Sequence, residues 1–272
     1  MFKIKWVIHQ YFSVDTYKSV KSLLSNWYVY YIAIVSTLFT KTKSQPYIFY
    51  LRSGESIRIY DFMAIYIFKE IFLDNCYDNL SLNQESPVIV DIGSNIGLFA
   101  LKSKIEYPNS RLLCVEPFPP NFNHLKELVS INNLINIDLI NTAVLGYNGS
   151  AKLYIHPKNS GGHSVYDGIA GKHYIDVPSV TLFDLFKSNG IEKCHLLKMD
   201  CEGAEMQILK SLTPETSKKI ESVIIEPTTK LYPIGELYEI LESLGYNYRI
   251  VDGIIFASSN IQEENEVVPK VS

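Results

Sequence analysis

The segment PVIVDIGSNIG, Pro87 to Gly97, constrains this chain most: a β-branched run ends in an acid, turns through two glycines and opens into LFALKSKIE. That order predicts a strand, a tight turn and a helix N-terminus, the unit from which nucleotide pockets are built. Asp91 places a carboxylate at the carboxyl end of the strand. Gly93 supplies a position that tolerates positive φ and lets the backbone approach a ligand, and Gly97 lets the following helix pack closely on the sheet. Between them stands Asn95, where the dinucleotide fingerprint requires another glycine so that a pyrophosphate can rest on the helix start.

A nucleoside ligand without phosphates has no such requirement, so the DxGxNxG turn suits S-adenosylmethionine better than NAD. RLLCVEP, Arg111 to Pro117, reads as a second buried strand ending in Glu116, at about the separation where α/β folds place a ribose-binding carboxylate. From Pro87 onward strands and helices alternate, which implies a mostly parallel sheet: helix Leu98 to Glu106, strand to Glu116, helix Asn121 to Asn132, strand INIDLINTAV. A strand-rich insertion is expected over 149–180, with the glycine-rich loop NSGGHSVYDG inside it. CHLLKMD and KKIESVIIEP read as further strands, PIGELYEILESLG as a helix closed by Gly245, and YNYRIV with GIIFAS as a terminal hairpin.

The net charge of -4 gives no electrostatic reason to bind nucleic acid. Cys76, Cys114, Cys194 and Cys201 show no CxxC spacing, which fits reduced thiols in the cytoplasm and predicts no zinc site. The first 43 residues carry six lysines against the single acid Asp15, and between those lysines lies LLSNWYVYYIAIVSTLFT, Leu23 to Thr40. Ser25, Asn26, Ser36 and Thr37 interrupt it, so an accessory helix covering the sheet is expected rather than a membrane span. Its flanking lysines make it a candidate for peripheral contact with a membrane. QPYIFYLRSGESIRIYD reads as a hairpin turning at Ser53 and Gly54, and DFMAIYIFKEIFLDNCYDN as a helix. The division expected is an accessory segment over 1–80, a catalytic domain over 81–260 and a polar tail over 261–272.

LLKMDCEGAEMQIL, Leu196 to Leu209, carries the second strong signal, because Asp200 ends a buried strand and Glu202 and Glu205 follow at the edge where open sheets bind ligands. Together with DIGSNIG, VEPFPPNFNHL, NTAV with GSAKLYI, and IIEP, this segment resembles the FkbM-type S-adenosylmethionine-dependent methyltransferases, over about Gln45 to Val251. The resemblance implies an α/β, Rossmann-like class I methyltransferase fold: a mostly parallel seven-stranded sheet with a terminal antiparallel hairpin strand, here carrying an N-terminal helical and hairpin extension. It implies methyl transfer from S-adenosylmethionine, usually to a hydroxyl of a sugar, glycan or secondary metabolite. By position, Asp91, Gly93, Asn95 and Gly97 would form the methionine side of the cofactor pocket and Glu116 would hold the ribose. Phe118 would face the adenine, and Asn141 or Thr142 would bond its exocyclic amine.

Methylating an alcohol requires a base near the attacking oxygen or a metal that lowers its pKa. His163 is the leading base on sequence grounds because glycines around it allow the loop to close over a substrate; His156 and His173 rank below it. Asp200 with Glu202, and Glu226 from the next strand, are the competing bases, and a magnesium ion held by them is the less favoured arrangement. Two rival functions remain at this stage: a Rossmann oxidoreductase using NAD, and a methyltransferase-like module that binds without turnover.

Overall fold

The computed structural model describes residues 10–39 and 45–259. Helix α1 (Val14–Leu23) starts at Ser13, whose hydroxyl accepts the Thr16 N–H, and is followed by α2 (Tyr28–Phe39). The expected single helix from Leu23 is broken: the chain turns over Leu24–Trp27 because Leu24 bridges Leu51 and the Asn26 side chain bonds the backbone of Ile48 and Tyr50. No helix among the described residues is long and apolar enough to cross a membrane. Lys3, Lys5, Lys41 and Lys43, and the tail over 261–272, lie outside the described residues.

Strands β1 (Tyr47–Tyr50) and β2 (Ser56–Ile59) form the expected hairpin. Helix α3 (Phe62–Phe68), capped by Asp61, runs straight into a π turn over Lys69–Leu73. That wider turn is held by the buried Lys102 ammonium on the Ile71 carbonyl, and it sets Glu70 and Tyr77 at the mouth of the sheet.

The core unit then runs β3 (Val88–Ile92), α4 (Leu98–Glu106), β4 (Arg111–Val115), α5 (Pro119–Ile131) and β5 (Ile137–Ile140). Tandem prolines open α5, where a missing N–H costs nothing. INIDLINTAV is not one strand as expected. β5 ends at Ile140, and Ala143–Val144 (β6) joins a second sheet with β7 (Gly149–Tyr154) and β8 (Tyr174–Val180). Asn141 makes the break by donating to the Glu116 and Pro117 carbonyls, at 2.7 and 3.1 Å.

The chain continues through α6 (Leu182–Ser188), β9 (Leu196–Met199), α7 (Glu205–Lys210), α8 (Pro214–Ser217), β10 (Ser222–Ile225), α9 (Ile234–Ser243), β11 (Asn247–Val251) and β12 (Ile254–Ser258). The seven strands lie in the order β11-β12-β10-β9-β3-β4-β5, with β12 antiparallel between its neighbours and the five from β10 to β5 parallel. Successive residues alternate across the sheet. Ile89, Leu112, Leu196, Ile224 and Phe256 join the core shared with the N-terminal extension, α4 and α5. Val90, Leu113, Leu197, Val223 and Ala257 join the core under α6, α7, α9 and the small sheet. The strand order reverses between β3 and β9, so the crevice outside their carboxyl ends is the topological switch point where such sheets take ligands.

Candidate functional site

Two adjoining clefts open at that switch point. The first, about 570 Å³, runs from Glu116 and Thr142 past Gly93 and Asn95 to Asp200 and Glu202, with His163 and Gly161 over it. The second, about 720 Å³, lies between the Gly93–Phe99 segment and the N-terminal extension, and is walled by Glu70, Tyr77, Lys198, Asp200, Glu202 and Glu226. Gly93, Asn95, Gly161, Asp200 and Glu202 border both.

Asn95 adopts φ +51°, a left-handed conformation that asparagine tolerates and that glycine supplies in the dinucleotide fingerprint. Its N–H donates to Glu116 Oε2 at 2.8 Å, and its own Oδ1 accepts the Ile96 N–H at 2.7 Å. Glu116 Oε1 accepts the Phe118 N–H at 2.9 Å. Each carboxylate oxygen thus holds one backbone donor and keeps acceptor capacity for one further hydroxyl, an arrangement that fits the two hydroxyls of a ribose. Burial raises the Glu116 pKa to about 7, against the two backbone N–H groups that favour its ionised form.

Several residues named from the sequence act differently from expectation. Gly93 does take the expected positive φ, +80°, and borders both clefts, but a Cβ there would also run into the Asp200 carbonyl just past β9. Gly97 answers the neighbouring helix rather than the sheet: a Cβ would come within 2.6 Å of Leu125 and 2.8 Å of Leu128 on α5. Asp91 is wholly buried and lines neither cleft; the Lys198 ammonium lies 3.1 Å from it. Asn141 donates its amide N–H groups to backbone carbonyls and lines neither cleft, whereas the Thr142 hydroxyl donates to Pro178 O at 2.9 Å, keeps lone pairs able to accept from an adenine amine, and lines the first cleft. Phe118 packs on the His163 ring at 4.1 Å between centroids.

His163 borders the first cleft and not the second. Its Nδ1 accepts the His156 N–H at 3.1 Å, which puts the ring proton on Nε2, and it faces the Glu116 compartment. Burial lowers its pKa to about 4, leaving a nitrogen of low basicity. His156 is tied to Lys158 and Asn159, and His173 is exposed.

The carboxylates Asp200, Glu202 and Glu226 gather along the second cleft. Burial and the neighbouring Asp200 raise Glu202 to about 8, and Glu202 sits at φ +51° in a turn fastened by Ser164 Oγ donating to its carbonyl at 2.6 Å. Glu226, raised to about 7 first by Asp200 and then by burial, accepts the Tyr77 hydroxyl at 2.8 Å. Glu205 is a clamp, accepting from the Cys201 and Gly203 N–H groups and the Tyr232 hydroxyl. Among the described residues no group of three His, Cys, Asp or Glu is arranged to hold a metal ion.

Sequence reasoning passed over Lys198, Tyr77 and Glu70. A charge inside the apolar run LLKM was the available signal for Lys198, since an unpaired lysine is not buried in a strand. Tyr77 and Glu70 carried none, because only the packing of the N-terminal extension brings them to the sheet.

The family model described as "Methyltransferase FkbM domain" matches residues 91–248. This chain belongs to that family. The enzyme is a class I methyltransferase that uses S-adenosylmethionine. It is 28% identical over 214 residues to methyltransferase sdnD of Sordaria araneosa, covering 68% of this chain and 82% of that protein. It is 24% identical over 232 residues to the 31-O-demethyl-FK506 methyltransferase FkbM of Streptomyces tacrolimicus, covering 74% and 88%. The crystal structure of methyltransferase FkbM from Methylobacillus flagellatus KT superimposes with a TM-score of 0.47 at 18% identity, over 66% of this chain and 45% of that one.

Proposed function

We propose that this methyltransferase acts on a hydroxyl of a small molecule or glycan seated in the second cleft, with Glu202 as the general base. The observation that carries the proposal is the position of Glu202: it borders both clefts, and its carboxyl group titrates at about 8. A base is most effective when its pKa lies near the working pH. The likeness to the Streptomyces relative, a 31-O-demethyl-FK506 methyltransferase, supports an oxygen acceptor.

The bound cofactor supplies an electrophilic sulfonium methyl. Glu116 would hold its ribose, with Asn95 at the boundary of the two clefts. Glu202 takes the acceptor's proton as the oxygen bonds to the methyl carbon and the carbon–sulfur bond breaks. Asp200 and Glu226, joined through Tyr77, line the acceptor side and orient the substrate by accepting hydrogen bonds from its remaining hydroxyls. The test is turnover with isotopically labelled S-adenosylmethionine over a panel of sugars, glycans and polyketide-like alcohols, followed by mass spectrometry of the product. Label on nitrogen, or unchanged turnover in Glu202→Gln, overturns the proposal; chelator treatment decides whether a divalent ion takes part.

We further propose a peripheral membrane contact through α2. Tyr28, Ile32 and Val35, on one side of α2, are about half exposed. Co-sedimentation with anionic vesicles tests this contact, and absence of the protein from the pellet overturns it.

A further inference from the structure

His163 is the one residue of the first cleft with a polar atom that is both buried and unpartnered: Nε2 has no hydrogen-bond partner, while Nδ1 is committed to the His156 N–H at 3.1 Å. A neutral imidazole that accepts at one nitrogen carries its proton on the other. Nε2–H is therefore a donor withheld from water, and such a group is costly unless a ligand completes it. The tautomer is built in. His156 is itself fixed, since its own Nδ1 accepts from the Lys158 and Asn159 N–H groups, and the chain from 156 to 163 closes on two imidazoles that each receive backbone donors. The His163 ring cannot swing freely, because Phe118 lies tilted against it and Ser164 is bonded on both sides to Tyr154.

The surroundings define the ligand atom. Around His163 the cleft is apolar, with Val144, Leu145, Leu153 and Val165 near Pro117, a lining suited to a flat aromatic base beyond the ribose carboxylate Glu116. On such a base the groups able to receive an N–H are the ring nitrogens. We propose that His163 is a cofactor-recognition residue whose Nε2–H donates to a ring nitrogen of the adenine of S-adenosylmethionine. This rests on the reading of the first cleft as the cofactor site.

Calorimetry with S-adenosylhomocysteine and its 1-deaza, 3-deaza and 7-deaza analogues tests it, using the full chain and the variants His163→Phe and His163→Gln. In the unaltered protein one deaza analogue should bind about tenfold more weakly than S-adenosylhomocysteine, as expected for one lost hydrogen bond. His163→Phe, which keeps a ring against Phe118, should lose about tenfold for the parent ligand and nothing further for that same analogue. His163→Gln should recover part of the loss, because its amide can donate. Equal affinity of the unaltered protein for all four ligands overturns the proposal even where a variant fails to fold, and so does an equal loss for every ligand in His163→Phe. Absence of any S-adenosylhomocysteine binding by the unaltered protein would strike instead at the reading of the cleft. Nitrogen-15 spectra of the imidazole give an independent check: a proton on Nδ1 overturns the assignment.

Discussion

The Lys198 ammonium lies 3.1 Å from the Asp91 carboxylate, and the two residues are paired in register across β9 and β3. Both are buried, at 3% and 0% exposure, and Lys198 also reaches Asp200 at 3.6 Å. The Asp91 approach is an ion pair outside good hydrogen-bond alignment, so the carboxylate depends on Coulomb attraction in a poorly solvated interior. Burial acts to lower the Lys198 pKa, and Asp91 and Asp200 overcome it, keeping the lysine charged and its pKa raised. The switch point is thus held together by a pair of which Asp91 lines neither cleft and Lys198 also walls the second.

Removing one member leaves a buried charge alone. Lys198→Met is expected to cost about 3–5 kcal/mol of stability. Adding Asp91→Asn should return a large part of it, since the uncompensated charge is then gone. Denaturant titration of the single and double variants measures both, and additive losses would refute the coupling.

Glu202→Gln should lower turnover by about 10²- to 10⁴-fold while leaving S-adenosylhomocysteine affinity near that of the unaltered protein. Because the Glu202 carboxyl is raised to about 8, turnover of the unaltered enzyme should climb with pH and level off above about 8. A flat profile between pH 6 and 9 would assign the base elsewhere, with Asp200 and Glu226 the next carboxylates to replace.

Cofactor affinity and apo-protein stability should move in opposite directions with pH. Glu116 must be ionised to accept both ribose hydroxyls, so affinity should fall as pH drops below about 7, and Glu116→Gln should be weak and insensitive to pH. The folded-state pKa values of Glu116, Glu226 and Glu202 all exceed the ordinary carboxylate value. The folded state therefore binds protons more tightly than the unfolded chain, and the stability these groups contribute declines as pH rises towards 7 or 8. His163, lowered to about 4, has the opposite sign and adds stability as pH rises from about 4 to 6.5. Thermal melts of the apo-protein should consequently rise as pH falls from 8 to 6.5, and a melting temperature that falls over that window contradicts the assignment.

Gly93→Ala should disrupt the site more than ordinary overpacking, which costs about 1–3 kcal/mol, because φ is +80° and the new methyl meets backbone, the Asp200 carbonyl. Cofactor binding is the sensitive readout. Affinity equal to that of the unaltered protein would show that β3 and β9 can separate at no cost.

Much of this protein was legible locally. The strand, acid and glycine turn of Pro87 to Gly97, the alternation that follows it and the acid at Glu116 depend on neighbours along the chain, through φ requirements and period-2 burial, and the structure keeps them. The break at Asn141, the turn at Leu24–Trp27 and the tautomer of His163 depend on groups distant in sequence: the Glu116 carbonyl, Leu51 and the folded insertion. The sequence by itself determined which strands end in carboxylates and favoured a ligand without a pyrophosphate. Only the tertiary structure decided which of those carboxylates are buried against Lys198, which are pushed up toward neutrality by burial and by one another, and which ring nitrogen of His163 is left without a partner. Desolvation and Coulomb coupling act through space, and their strength is set by packing that no local pattern of residues records.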